Sequence, residues 1–401
     1  MHTHYIAEVT LRNFKAAFKP APIPLRPFNV IIGRNGSGKS TLLEAMQWLD
    51  TTMRRDAREA SDRYHGVVDL INLRTQAQRL WFEIGLRWDP TGDADMESFR
   101  YWLSVAEAQG TAHIEGEELV ALRDPSTRRV AETFIETARS GERLVGPSAG
   151  TRLTMREADR LALAWVENVP AAGDAVSPAF LSEFWQQAVF LRLSPNRLKD
   201  GSPATRRSFE PLLDEEGQTL PALLNELDDE QRRELVQAIG EILPGIRDIE
   251  VSTAELGRDT RVHYSLLEQM PYRGRAGRKK FPIPAWMLSE GTRRITAILA
   301  LVTRDPPPSL LCIEEIENGL DPWTVRAVLR HLQDAAERGT QVLITTHSPW
   351  LLDDVPMESI LLVRRRQGDT QYEHFASIDE VRAFAPSVPA GTRYVNLDQE
   401  V

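Results

Sequence analysis

Phe28-Asn29-Val30-Ile31-Ile32-Gly33-Arg34-Asn35-Gly36-Ser37-Gly38-Lys39-Ser40-Thr41 is the stretch from which the rest of the sequence can be read. Phe28 to Ile32 is a short, β-branched apolar run of the kind that forms a buried parallel strand. Gly33 to Ser40 fits G-x-x-x-x-G-K-[ST], and Leu42, Leu43, Ala45, Met46 and Leu49 then recur with helical spacing. The order is strand, glycine-rich turn, helix. Glycines let the backbone bend tightly and aim its N–H groups at phosphate oxygens, and the helix adds the positive end of its dipole. Asn35, Gly36, Ser37, Gly38, Lys39, Ser40 and Thr41 are therefore expected to hold ATP. Lys39 reaches the β- and γ-phosphates in this reading, and the Ser40 hydroxyl ligates Mg²⁺. A chance glycine-rich turn would have no reason to carry both the strand and the helix.

Ser309 to Ile313 is a second buried-strand pattern, and it runs directly into Glu314-Glu315. A carboxylate at the tip of a parallel strand beside a P-loop can hold Mg²⁺, and a neighbouring one can polarise the attacking water. Glu314 is expected in the metal role and Glu315 as general base. An isolated pair of acids would be read as capping a strand in solvent, but this strand is apolar and a P-loop needs such a partner. Gln341 to Thr345 form a further apolar strand that ends at Thr346-His347-Ser348-Pro349. A His at that tip lies on the edge where doubly wound sheets bind ligands, so His347 is expected to sense the γ-phosphate. Upstream, Leu288-Ser289-Glu290-Gly291-Thr292 opens a helix whose Ile295, Ile298, Leu299 and Val302 share one face. Ser and Gly at a helix start make a second anion site, best explained as acting on a neighbour's ATP.

In order, the P-loop, LSEGT, IEEIENGLDP and TTHSP resemble the ABC-type ATPase heads of the SMC, RecF and OLD group, and most of all its compact stand-alone AAA-type members. Val9-Thr10-Leu11-Arg12-Asn13-Phe14-Lys15 is similar to the strand-plus-NFK start of those heads, and Phe190 to Leu227 is similar to their middle segment. The resemblance covers most of the chain. It implies a head-to-head dimer, or a higher even oligomer, in which Ser289 and Gly291 close on the partner's ATP. Asp321 matches the D-loop Asp that touches the opposite head, and His347 the switch histidine. Glu314 stands where transporters have Asp, and it is expected to keep Mg²⁺. Gln76, Gln78, Gln186 and Gln187 all remain open for the Q-loop.

The fold class expected is α/β, a P-loop NTPase head of the ABC type with a mixed sheet flanked by helices. Its halves, residues 1–90 and 246–401, bracket a long insertion at 91–245. Nine prolines from Pro125 to Pro244 exclude the unbroken heptads of a coiled coil there. Short amphipathic helices are expected around Arg156 to Val166 and Asp229 to Ile242, giving a mainly helical lobe. The basic run Arg273 to Lys280, and the group Arg192, Arg197, Lys199, Arg206 and Arg207, read equally as solvated surface or as contacts for nucleic-acid phosphates.

The composition is globular, with 42% apolar and 26% charged residues, and the net charge of −10 argues against a surface coated with nucleic-acid contacts. No stretch approaches the roughly 18 apolar residues of a membrane span. The start lacks the pattern of a secretory signal, and the single Cys312 has no partner, so a cytoplasmic location is expected. Three functions fit such an ATPase. It could be a nucleotide switch in DNA maintenance or anti-phage defence that controls a separate effector protein, a scaffold with little turnover, or the ATPase subunit of a transporter. Glu315 weakens the scaffold reading, since a non-hydrolysing site needs no base. The long insertion and the THSP ending weaken the transporter reading.

Overall fold

The computed structural model describes residues 3–75, 79–92, 96–124, 129–148, 150–169, 177–204, 210–256, 259–271 and 279–397. The chain divides into two compact units, Met1–Gln186 with Thr345–Val401, and Gln187–Ile344.

In the first unit eight strands form one antiparallel sheet. Their spatial order is Ile23–Pro24, His4–Arg12, Trp81–Pro90, Ser98–Ala108, Thr111–Asp124, Arg129–Thr137, Arg143–Val145 and Leu153–Met155. Alternation builds its core face: Phe82, Ile84, Leu86 and Trp88 are buried in one strand, and Phe99, Tyr101, Leu103 and Val105 in the next. The helix Lys39–Arg54 lays Leu42, Leu43, Ala45, Met46, Trp48 and Leu49 inward, and the Trp48 ring meets Phe82 edge to face at 5.2 Å. The strand Phe28–Gly33 is buried along its whole length, as a continuous apolar run requires. It pairs in parallel with Ile360–Arg366, which turns back into the antiparallel Asp369–His374.

In the second unit Leu310–Ile313 pairs in parallel with Val189–Leu191, and also with the first four residues of Gln341–Thr346. A separate antiparallel sheet is centred on Asp259–Gln269, which pairs with Ile246–Leu256, Ser202–Pro203 and Lys280–Pro284. The helices are Leu220–Glu226, Asp229–Ile242, Glu290–Val302 and Pro322–Glu337. Asp229–Ile242 begins as its sequence suggests, with a reciprocal capping box between Asp228 and Gln231.

Residues 91–245 do not form the mainly helical lobe expected of them. Among the described residues the named elements from Ser98 to Met155 are all strands, and from there to residue 245 the α-helices begin at Phe180–Gln186. Period-two burial decides it, since a helix would scatter Phe99, Tyr101, Leu103 and Val105 around its circumference. Position 91 is no boundary either, because Trp81–Pro90 pairs along its length with Ser98–Ala108. The expected helix near Arg156 to Val166 is a 3₁₀ turn at Ala162–Asn168. Its first peptide groups are engaged by the sheet. The buried Glu117 carboxylate accepts from Ala162 N at 2.8 Å and Leu163 N at 2.7 Å, and Arg143 donates to the Arg160 carbonyl.

Candidate nucleotide site

The P-loop follows its strand with Gly36 at φ 74° and Gly38 at φ 104°, conformations that glycine adopts without strain. A Cβ at Gly38 would lie 2.5 Å from the Thr370 hydroxyl, and one at Gly33 would collide with the Val363 carbonyl. The loop is therefore closely packed on one side. Lys39 is buried, and its ammonium donates to Gly33 O at 2.8 Å and Arg34 O at 3.1 Å. The Ser37 hydroxyl is buried without a hydrogen-bond partner, an arrangement that costs free energy until an acceptor or donor arrives. Ser40 and Thr41 sit in the first turn of a helix that has no side-chain cap. An uncapped helix start, a buried ammonium and an orphaned hydroxyl fit an incoming phosphate group.

A cleft of about 820 Å³ opens on this loop, lined among others by Arg34, Ser37, His347, Arg364, Arg365 and Tyr394. Among the described residues no carboxylate lines it, so its field favours anions although the chain as a whole is acidic. The structure thus brings His347 to the P-loop within one unit. The Thr346 hydroxyl accepts from Ser348 N at 3.0 Å and sets the turn after the histidine. Asn35 and Gly36 line the same cleft.

The acidic pair belongs to the second unit. Glu314 N donates to Leu191 O at 2.9 Å, which carries the parallel pairing one residue past the strand. Glu315 then takes a left-handed conformation, φ 48°, uncommon for a residue with a side chain. Asn318 Nδ2 donates to its Oε2 at 2.5 Å and fixes the carboxylate. A cleft of about 500 Å³ is lined by Arg192, Glu215, Arg294, Glu314, Glu315 and Asn318, among others. Arg192 Nε stands 4.0 Å from Glu314.

Ser289 is the N-cap of Glu290–Val302, and its hydroxyl accepts from Thr292 N at 3.1 Å. Asp321 caps Pro322–Glu337 in the same way. It accepts from the Thr324 hydroxyl at 2.7 Å and from Thr324 N and Trp323 N at 3.1 Å, and these bonds, Thr324 first, hold its carboxyl below the ordinary range. Gly291 approaches the turn that precedes Asp321. Trp286, Met287 and Trp323 flank these two caps and are 56%, 70% and 78% exposed, too open to be core.

Motif reading passed over Thr370, Tyr372, Arg365 and Asn318. The first three contact the P-loop from a hairpin with no motif of its own, and only Asn318 had a signal, as the polar residue three after the base. Gln76, Gln78, Arg206, Arg207 and Arg273 to Arg278 lie outside the described residues. Gln186 ends the helix Phe180–Gln186 and donates to Ser182, and neither it nor Gln187 lines either cleft. Among the described residues, no helix is long and apolar enough to cross a membrane.

The architecture is that of a P-loop ATPase head. It is similar to a solved structure described as the SmcHead bound to the C-winged helix domain of ScpA, with 16% identity over 92% of this chain and 97% of that one, and a TM-score of 0.56. It is similar also to the Smc head domain with an extended coiled coil bound to the C-terminal domain of ScpA, derived from Pyrococcus furiosus, with 14% identity over 92% and 96% of the two chains and a TM-score of 0.51. At these identities the likeness is one of fold. The chain belongs to the family described as "AAA domain, putative AbiEii toxin, Type IV TA system", whose model matches residues 28–353. By family it is thus an AAA domain, and its fold is the P-loop fold of SMC heads. No curated protein matches the sequence.

Proposed function

We propose that this protein is a Mg²⁺-dependent ATP hydrolase that works as a head-to-head dimer, a conformational switch in anti-phage defence or DNA maintenance controlling a separate effector protein. The observation that carries the ATPase reading is the P-loop itself. Its buried Lys39, partnerless Ser37 hydroxyl and uncapped helix start open on a cleft that no carboxylate lines among the described residues. Asn35 to Thr41 would hold the nucleotide, with the Lys39 ammonium on the β- and γ-oxygens. Ser40 would ligate Mg²⁺, whose chemistry is to neutralise charge on those oxygens, and a metal-holding role is proposed for Glu314 as well. Glu315, oriented by Asn318, accepts the proton of the attacking water, and His347 hydrogen-bonds the γ-phosphate.

Ser289, Gly291 and Asp321 would act on the partner's nucleotide. The exposed Trp286, Met287 and Trp323 beside them support a protein interface there. The family description, with its toxin–antitoxin context, supports the defence reading for this chain. A scaffold with little turnover remains the competing reading, and Glu315 speaks against it.

The test is nucleotide binding and phosphate release by the purified protein. Lys39→Ala should abolish binding, while Glu315→Gln should bind ATP and not turn it over. Wild-type hydrolysis by Glu315→Gln would remove the base assignment, and normal binding by Lys39→Ala would remove the site. Single-stranded DNA, duplex DNA and tRNA should stay uncut by the purified protein with Mg²⁺ or Mn²⁺. Cleavage abolished by a point mutation in this chain would sink the separate effector.

A further inference from the structure

The hairpin of Ile360–Arg366 and Asp369–His374 contacts three successive carbonyls of the P-loop. Arg365 donates to Gly36 O at 3.4 Å, the Thr370 hydroxyl to Ser37 O at 3.1 Å, and the Tyr372 hydroxyl to Gly38 O at 2.8 Å. Thr370 Oγ1 is also 3.2 Å from Ala16 O, so its one proton is shared between two acceptors. The hairpin is itself anchored, because Asp369 accepts from Phe18 N at 2.8 Å and Lys19 N at 2.9 Å.

Peptide geometry converts these bonds into control of amide direction. In a trans peptide the C=O of one residue and the N–H of the next point opposite ways. Holding Ser37 O and Gly38 O against the hairpin therefore aims the Gly38 and Lys39 N–H groups away from it. Those amides lie at the uncapped start of Lys39–Arg54. The Gly36 carbonyl differs, because its companion amide, Ser37 N, folds back onto Arg34 O at 3.2 Å and its own bond to Arg365 is the longest of the three. Burial, then the charges of Glu44 and Asp369, push the Tyr372 phenol far above its ordinary range, so it keeps its proton and acts as a donor.

We infer that Thr370 and Tyr372 are positioning residues for nucleotide binding, which orient the Gly38 and Lys39 amides by holding the carbonyls of Ser37 and Gly38. The inference rests on the ATP-binding reading of this loop. Tyr372→Phe and Thr370→Val each remove a hydroxyl with little change in shape, and the double variant removes both bonds. The Gly38 carbonyl keeps its bond from Thr41 N at 3.1 Å, but the double variant loses the hairpin's hold on both carbonyls and should bind ATP roughly 10-fold or more weakly. At saturating ATP its turnover should stay within about twofold of wild type, since neither hydroxyl is a reacting group, so the loss falls on KM. Thr370→Ser, which restores the donor, should recover wild-type affinity.

Hydrogen exchange in the P-loop peptide of the nucleotide-free protein gives a second readout and should be faster in the double variant. If the wild type binds no nucleotide, the ATPase reading fails, and exchange in the nucleotide-free protein still decides the inference. Unchanged exchange in the double variant, or ATP affinity equal to wild type, would overturn it. Should the double variant fail to fold, Tyr372→Phe alone is judged by the same two measurements.

Discussion

Gly291 packs directly on the backbone of Gly319, so that a methyl group at position 291 would stand 2.7 Å from the Gly319 carbonyl oxygen. Gly319 itself has φ 71° and sits against the Glu290 side chain, which pairs with Arg294 at 3.2 Å. The start of one helix and the turn into the Asp321 helix are therefore one mechanical piece: a side chain at Gly291 must move the Gly319 backbone, and one at Gly319 must displace the Glu290 side chain.

Gly291→Ala should show this. Because the obstacle is backbone, the turn must shift, at a cost of about 1–3 kcal/mol on the scale of overpacked sites. Thermal unfolding should report that loss, and ATP turnover should fall while ATP binding to Lys39 and its loop is kept. Wild-type stability and turnover together would mean that the two segments are not packed as described.

A second prediction tests the Glu117–Arg143 pair, which is 0% and 2% exposed, with 3.3 Å between the charged atoms. Glu117 also accepts from the Tyr101 hydroxyl at 2.9 Å and from two main-chain amides. Glu117→Gln keeps the shape but leaves Arg143 buried without its countercharge, a change that typically costs about 3–5 kcal/mol. Chemical denaturation should show a loss of that order. A change below about 1 kcal/mol would mean that the pair is hydrated in solution.

How much of this was legible in the sequence depends on whether a feature is local. The P-loop, the buried strands before Ser40 and Glu314, and the helix starts at Ser289 and Asp229 are local patterns, and each appears where its residues put it. The sheet over 98–155 was legible too, but only to a count of period two. The prolines of the 91–245 insertion exclude a coiled coil, but they do not distinguish short helices from strands. The bonds from Thr370 and Tyr372 to the P-loop join residues more than 300 positions apart, with nothing in their own neighbourhood to mark them. Glu117 is likewise an ordinary acid in the sequence, and only the converging donors of Tyr101, Arg143, Ala162 and Leu163 explain its burial.

The third prediction concerns pH. His4 stacks on Phe180 with ring centroids 4.3 Å apart, and its Nε2 donates to Glu97 O at 2.9 Å. Burial lowers its pKa, against smaller opposing effects of that bond and of Asp89. A depressed folded-state pKa contributes stability that is present above the unfolded value of about 6.5 and lost as pH falls through the folded one. Acidification from neutral pH should therefore lower the melting temperature, and His4→Gln, which does not titrate, should lose that part of the slope. An identical slope in the variant would show that folding leaves the His4 pKa where it is in the unfolded chain.

The fourth prediction tests whether two chains share a site. Ser289 is exposed at its helix start and, among the described residues, its hydroxyl bonds within its own turn, to Thr292. Ser289→Arg places a bulky cation where a second chain's phosphate would sit. It should stop hydrolysis without weakening ATP binding to one chain, because Lys39 and its loop are untouched. Mixing it with Lys39→Ala sharpens the test. In a mixed dimer one composite site carries both lesions and the other carries neither, so up to half of the sites in such dimers regain every group they need. Neither variant alone can supply such a site, and activity should therefore rise on mixing and peak near equal amounts. A flat, inactive titration, with subunit exchange verified by labelled chains, would show that Ser289 does not act on a neighbour's nucleotide.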